Sequence, residues 1–121
     1  MEKKHYEVRF HDMLAREGCI ICGSAAQIHH MMRPRHRYQF LVLPLCEGCH
    51  TGYEDKSKLA FHKAKATWRH AYGHEAELYF RMRGQLNEVG KWPEQIENDL
   101  VGWLNSGYAD RIYLEQSVCH I

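Results

Sequence analysis

Cys19-Ile-Ile-Cys22-Gly and Leu43-Pro-Leu-Cys46-Glu-Gly-Cys49-His50 are the two stretches that decide how this chain folds. Two thiolates spaced by two residues can reach one ion from a tight knuckle, and two such pairs complete a tetrahedral set of four. Residues 23–45 between the pairs are enough for two short strands and a turn. The expected fold is α+β: a small treble-clef finger in which a knuckle, a β-hairpin and a helix surround a structural Zn²⁺. Cys19, Cys22, Cys46 and Cys49 are its candidate ligands, and the first turn of the helix carries the second pair. In a domain this small, a zinc binding energy of about 10 kcal/mol or more is folding energy.

Working outward, the chain has 121 residues, 45% of them hydrophobic and 26% charged, the balance of an ordinary globular domain. One domain over 1–121 is expected, with a zinc-stabilised core at 19–72 and mainly helical flanks at 1–18 and 74–121. No run approaches the roughly 18–20 apolar residues that cross a bilayer. Met1–Arg9 contains no apolar core of a secretory leader. A cytoplasmic, reducing setting follows as an expectation, and there paired cysteines favour a metal over disulfides. The odd total of 5 cysteines agrees, with Cys119 left over.

Spacing outlines the other elements. Tyr6, Phe10, Met13 and Leu14 mark one face of a helix over 5–17, which Gly18 stops. Ile28–Met31 reads as a short strand, and Phe40–Leu43 as a buried strand that Pro44 ends. A helix begins near Cys46 and breaks at Gly52. Another is expected from about Lys58 to Tyr72, capped by Gly73. Leu78, Met82 and Leu86 stripe a helix over 75–87, and Pro93 opens a last one striped by Ile96, Leu100, Val101 and Leu104. Tyr72, Phe80, Trp92 and Trp103 are expected in the core. Tyr108–Ile121 fits either helix or strand.

The net charge of +1 conceals an uneven distribution. Residues 1–87 carry 14 Lys/Arg against 9 Asp/Glu, and 88–121 carry 2 against 6. Arg33, Arg35 and Arg37 cluster in the loop between the strands, and Lys56, Lys58, Lys63, Lys65 and Arg69 follow. Such clusters neutralise phosphates, although a solvated helix face has the same composition.

Histidines lie inside the cysteine framework. His29 and His30 are adjacent on a strand and so point to opposite faces. With the hairpin packed on the helix near Cys46, one of them faces His50. Two facing imidazoles can hold a divalent ion, and the remaining histidine is then placed to deprotonate water. His5, His11, His36, His70, His74 and His120 are read by default as surface or core groups.

Cys-x-x-Cys-Gly, then Ile28-His-His, then Leu43-Pro-Leu-Cys-x-x-Cys-His resembles the HNH endonucleases, also called ββα-metal or His-Me finger nucleases. More narrowly the chain is similar to phage recombination-enhancement, RecA-dependent nucleases and related prophage proteins. The likeness continues through Phe61-His62, Trp68-Arg-His-Ala-Tyr-Gly and Glu77-Leu-Tyr-Phe-Arg-Met-Arg, covering about 19–87. It implies a metal-dependent DNA endonuclease, with His30 as general base and His29 and His50 as ligands of a catalytic Mg²⁺ or Mn²⁺. Arg33, Arg35, Arg37, His62, Lys63, Lys65 and Arg69 would contact DNA, and a recombinase filament such as RecA is an expected partner. The Asn of the family name has no clear counterpart, although Gln39, Tyr38 and His36 lie nearby. His29 stands where the broader superfamily usually has Asp, and a neutral donor set favours softer divalent ions over Mg²⁺.

A second reading keeps the cysteines and the basic loop but makes the protein a non-catalytic zinc-finger adaptor for DNA or protein. A zinc hydrolase or deaminase for small molecules fits less well, because neither His29 nor His30 is followed by the Glu that such sites need.

Overall fold

The computed structural model describes residues 3–106 as an α+β domain. Its elements run α1 (His5–Glu17), β1 (Gln27–His30), β2 (Val42–Leu45), α2 (Glu47–His50), α3 (Lys65–Tyr72), α4 (Glu75–Glu88) and α5 (Glu94–Leu104), with one 3₁₀ turn at Arg35–Arg37. The segment 107–121, including Cys119 and His120, lies outside the described residues. No described helix is long and apolar enough to cross a membrane.

α1 forms where its apolar spacing predicts, and buries Phe10 and Leu14. Gly18 ends it at φ 96°, and this residue has to be glycine for a second reason. A Cβ there would sit 2.6 Å from the Gly23 carbonyl oxygen, because the first knuckle folds back tightly on the helix end. Within that knuckle the Cys19 N–H donates to the Ser24 carbonyl at 2.7 Å and the Gly23 N–H to the Cys19 carbonyl at 2.8 Å.

β1 and β2 pair antiparallel, with His29 opposite Leu43 and His30 opposite Val42. Pro44 does not end β2 but lies inside it, opposite Ile28. Its carbonyl accepts the Ile20 N–H at 2.9 Å, so its backbone polar edge faces away from β1 and the missing N–H breaks no rung of the ladder. Phe40 and Leu41, expected in the strand, are buried in the turn before it.

The expected helix over 58–72 is shortened to α3. Residues 51–64 are held by tertiary bonds instead. The Glu47 carboxylate accepts the backbone N–H groups of Tyr53 (2.7 Å) and Asp55 (2.8 Å) and the Thr51 hydroxyl (2.9 Å), curling the loop back over α2. The Asp55 N–H is the largest of the influences that hold this carboxyl down at about 2. The Phe61 and His62 N–H groups then bond to the Cys49 and His50 carbonyls at 2.8 and 2.9 Å. Donors committed to α2 cannot close a helix of their own.

Behind the hairpin, α4 buries Leu78, Tyr79, Met82 and Leu86, and α5 buries Ile96 and Leu100. The Tyr79 hydroxyl donates to the Phe40 carbonyl at 2.7 Å, tying α4 to the β2 approach. Trp92 stands edge-on to Phe10 and Tyr79, and its indole N–H donates to Glu97 at 2.8 Å. Three expected core residues face solvent: Tyr72 is 36% exposed, Val101 42% and Leu104 39%. α5 covers the core through a narrower stripe than its composition suggests.

Candidate metal centres and cleft

The four cysteine sulfurs lie within 4.8 Å of one another and could hold a structural metal such as zinc. Sulfurs of a tetrahedral zinc site stand about 3.8 Å apart, given a Zn–S bond of about 2.3 Å. Cys22 and Cys46 are already 3.5 Å apart. Cys19, Cys46 and Cys49 are buried and Cys22 is exposed. The Cys22 thiol, hydrogen-bonded to the Ser24 side chain, is lowered to about 6, chiefly by that bond. Burial pushes the Cys49 thiol up. Lys58 reaches the same sulfurs, with Nζ 3.4 Å from both Cys22 and Cys46 Sγ. An ammonium there offsets the excess negative charge of four thiolates around a divalent ion.

A second cluster joins His29, His50 and His62, whose ring nitrogens also lie within 4.8 Å of one another. His29 comes from β1 and His50 from the last residue of α2. His62 is brought in by the loop whose N–H bonds to the His50 carbonyl. The three burials grade outward: His29 is buried, His50 half-buried and His62 exposed.

The hydrogen bonds behind these rings select their tautomers. His50 Nδ1 faces the Gln27 carboxamide oxygen at 3.0 Å, which leaves Nε2 with a lone pair. His29 Nε2 faces the Glu75 carboxylate at 3.3 Å, which leaves Nδ1 with a lone pair. Those two free nitrogens face each other at 3.3 Å. Two nitrogens bound to one tetrahedral ion at about 2.0–2.1 Å would be roughly 3.3–3.4 Å apart. The donor set therefore fits a divalent cation. Burial, followed by the neighbouring His29 and His62, lowers His50 to about 4, and burial also depresses His62. Both rings are neutral near pH 7 and able to ligate.

His30 stands apart from this cluster, as its position on the strand requires. Its Nε2 bonds to the Gln39 carboxamide oxygen at 2.7 Å, and its ring lies edge-on to His11. An acceptor at Nε2 fixes the proton there and leaves Nδ1 basic. Burial lowers its pKa below the ordinary histidine value despite the Gln39 bond. Gln39 is itself buried, and its backbone carbonyl faces His11 Nε2 at 2.8 Å. His11, expected as a bland core histidine, thus braces the residue that orients His30.

Ile28, His29, His30, Arg33, Arg35, His50 and His62 line one open cleft of about 240 Å³. The expected DNA-contacting residues divide. Arg33 and Arg35 are exposed on the cleft, and Arg37 is exposed on the same 3₁₀ segment. His62 belongs with the cation donors. Lys63 donates to the Gly52 carbonyl at 2.6 Å, and exposed Lys65 stands 5.8 Å from the Phe61 ring centre. Arg69 turns inward: its Nε and Nη2 bond to Glu75 Oε1 at 2.8 and 2.7 Å, and its guanidinium lies over Phe61. It is not a free phosphate contact.

Glu75 and Gln27 are site residues that the sequence reading does not contain. An acidic residue in the first turn of a helix reads as a complement to the helix dipole, which gives no sign of a role elsewhere. His62 reads in the sequence as a DNA contact, because nothing local ties it to His29. Comparison with protein-family models, curated proteins and solved structures finds no match in any of the three, so the HNH likeness rests on the quoted residues alone.

Proposed function

We propose that this protein is a metal-dependent endonuclease of HNH type, a ββα-metal finger that hydrolyses DNA phosphodiester bonds. The observation that carries the reading is the cleft itself: two ring nitrogens with opposed lone pairs 3.3 Å apart share one opening with a separately oriented histidine and two exposed arginines. The order β1, β2, α2 around four cysteines supports a treble-clef frame on structural zinc. His29, His50 and His62 are the residues that would hold a divalent cation. Such an ion, when bound, supplies charge stabilisation at the scissile phosphate and the leaving 3′ oxygen.

The chain's own groups supply the rest. His30 takes the proton of the attacking water at Nδ1, since Nε2 is occupied by its bond to Gln39. Gln39 thereby does the orienting work for which no Asn was found. Arg33 and Arg35 hold flanking phosphates without reading bases. An all-imidazole donor set favours Mn²⁺ or a softer ion over Mg²⁺.

The test compares the parent with His30→Ala and His62→Ala on single- and double-stranded DNA. Mg²⁺ or Mn²⁺ is supplied, with and without a recombinase filament. Cleavage by the parent that both variants lose supports the reading. Equal activity in all three, or none in any, overturns it. One tightly held zinc per chain, with no second divalent ion on titration, would point to the adaptor instead.

A further inference from the structure

We propose that Glu75 is a positioning residue of the histidine site, locking His29 in the tautomer that can bind a cation and being itself held in place by Arg69. The inference rests on a cation at His29, His50 and His62, and not on DNA cleavage. Glu75 is 2% exposed, and no buried carboxylate is retained without partners. Its two oxygens have separate tasks. Oε2 faces His29 Nε2 at 3.3 Å, while Oε1 receives both Arg69 nitrogens. The turn between α3 and α4 makes the pairing possible: Gly73 closes α3 at φ 102° and α4 restarts at Glu75, so Arg69 and Glu75 meet six residues apart.

An ionised carboxylate only accepts hydrogen bonds. Two nitrogens of the Arg69 guanidinium, at 2.8 and 2.7 Å, make the charge-assisted pairing of an ionised carboxylate. The His29 proton must then sit on Nε2, and the Nδ1 lone pair points to His50. Phe61, whose ring centre is 4.6 Å from that of His29, limits tilting of the ring from another side. Because Arg69 balances the carboxylate, orientation of the ring is the main effect, with little added negative charge. A carboxylate behind a ligating imidazole typically contributes about 10–100-fold in metal affinity.

The experiment uses the zinc-loaded full chain. Long-range ¹H–¹⁵N correlation assigns the proton on each imidazole, and Co²⁺ absorbance titration measures the second site. In the parent, His29 carries its proton on Nε2 and one Co²⁺ binds beyond the zinc. In Glu75→Gln the amide can present either its oxygen or its NH₂ group, so His29 loses its single tautomer and Co²⁺ binds about 10–100-fold more weakly. His50, oriented by Gln27, keeps its tautomer as an internal control.

The double variant Glu75→Gln with Arg69→Gln removes the unpaired guanidinium, and serves if the single one does not fold. A parent whose His29 carries the proton on Nδ1 overturns the proposal, as does a variant that binds Co²⁺ within twofold of the parent. A parent that takes up no Co²⁺ beyond zinc overturns the endonuclease reading as well. Binding by the parent that survives substitution overturns only the role of Glu75.

Discussion

Two donor clusters share α2 and are built in opposite ways. The cysteine cluster takes its ligands as two close pairs, buries three of its four sulfurs and leaves no position for a further ligand. The histidine cluster takes one ligand from each of three segments, grades from buried to exposed and opens into a cleft. A tetrahedral thiolate set without a free position is how structural zinc is held, whereas catalytic sites keep a position open. The same short helix thus contributes Cys49 to one cluster and His50 to the other. The clusters also differ in what backs them. Lys58, on a loop, offsets charge at the sulfurs, while Glu75 and Arg69, from the helices behind, orient a ring at the imidazoles.

The largest expected effect tests the structural half. Removing zinc with a strong chelator forfeits about 10 kcal/mol or more, comparable to the whole stability of a small domain, and replacing Cys49 with Ser forfeits a large part of it. The protein should lose its near-ultraviolet circular dichroism and cooperative melting, while a mild chelator that strips only the histidine site should leave both intact. A Cys49→Ser protein melting with the parent would erase the distinction between the clusters.

Next in size, His30→Ala should lower the cleavage rate about 10²–10⁴-fold, the usual contribution of a general base. Co²⁺ binding at the histidine cluster should stay within twofold, because His30 is not among its donors. A parallel loss of metal would merge the two roles that the geometry separates.

Trp68→Ala sharpens the contrast from behind. Trp68 is fully buried and stands edge-on to Phe61, which in turn packs on His29. Truncation should cost about 3–5 kcal/mol by denaturant titration. It should weaken the second metal site before zinc is lost, since the sulfurs are held by local chain geometry. Simultaneous loss of both ions would show one cooperative unit.

The smallest effect is at the rim. Arg33→Gln with Arg35→Gln should reduce the salt dependence of DNA binding by about two units of slope, roughly 0.9 per phosphate on a duplex. The maximal cleavage rate should be unchanged. An unaltered slope would remove both arginines from the interface.

Legibility followed the range of the interactions. α1 and α4 were readable almost to the residue, because a periodic apolar stripe and a terminal glycine act within a turn or two. Lys58–Ala64 reads as helix but is not one, since the Phe61 and His62 N–H groups go to the Cys49 and His50 carbonyls, a pairing no local pattern announces. Pro44 reads as a strand end yet lies inside β2, because its tolerance depends on which edge of the hairpin carries a partner. Arg69 reads as a free cation, and only the turn between α3 and α4 sets Glu75 beside it.

The sequence by itself determined the ligand types and the spacing of the cysteine pairs, since two residues between thiols already place both near one ion. It also determined that His29 and His30 diverge, because side chains alternate along any strand. Which histidine joins His29 and His50, and which carboxylate fixes the tautomer, only the tertiary structure decided. His62 and Glu75 reach the site through a loop curled by Glu47 and a helix restarted after Gly73. Contacts of that kind depend on where whole segments pack, and neighbouring residues in the chain carry no trace of it.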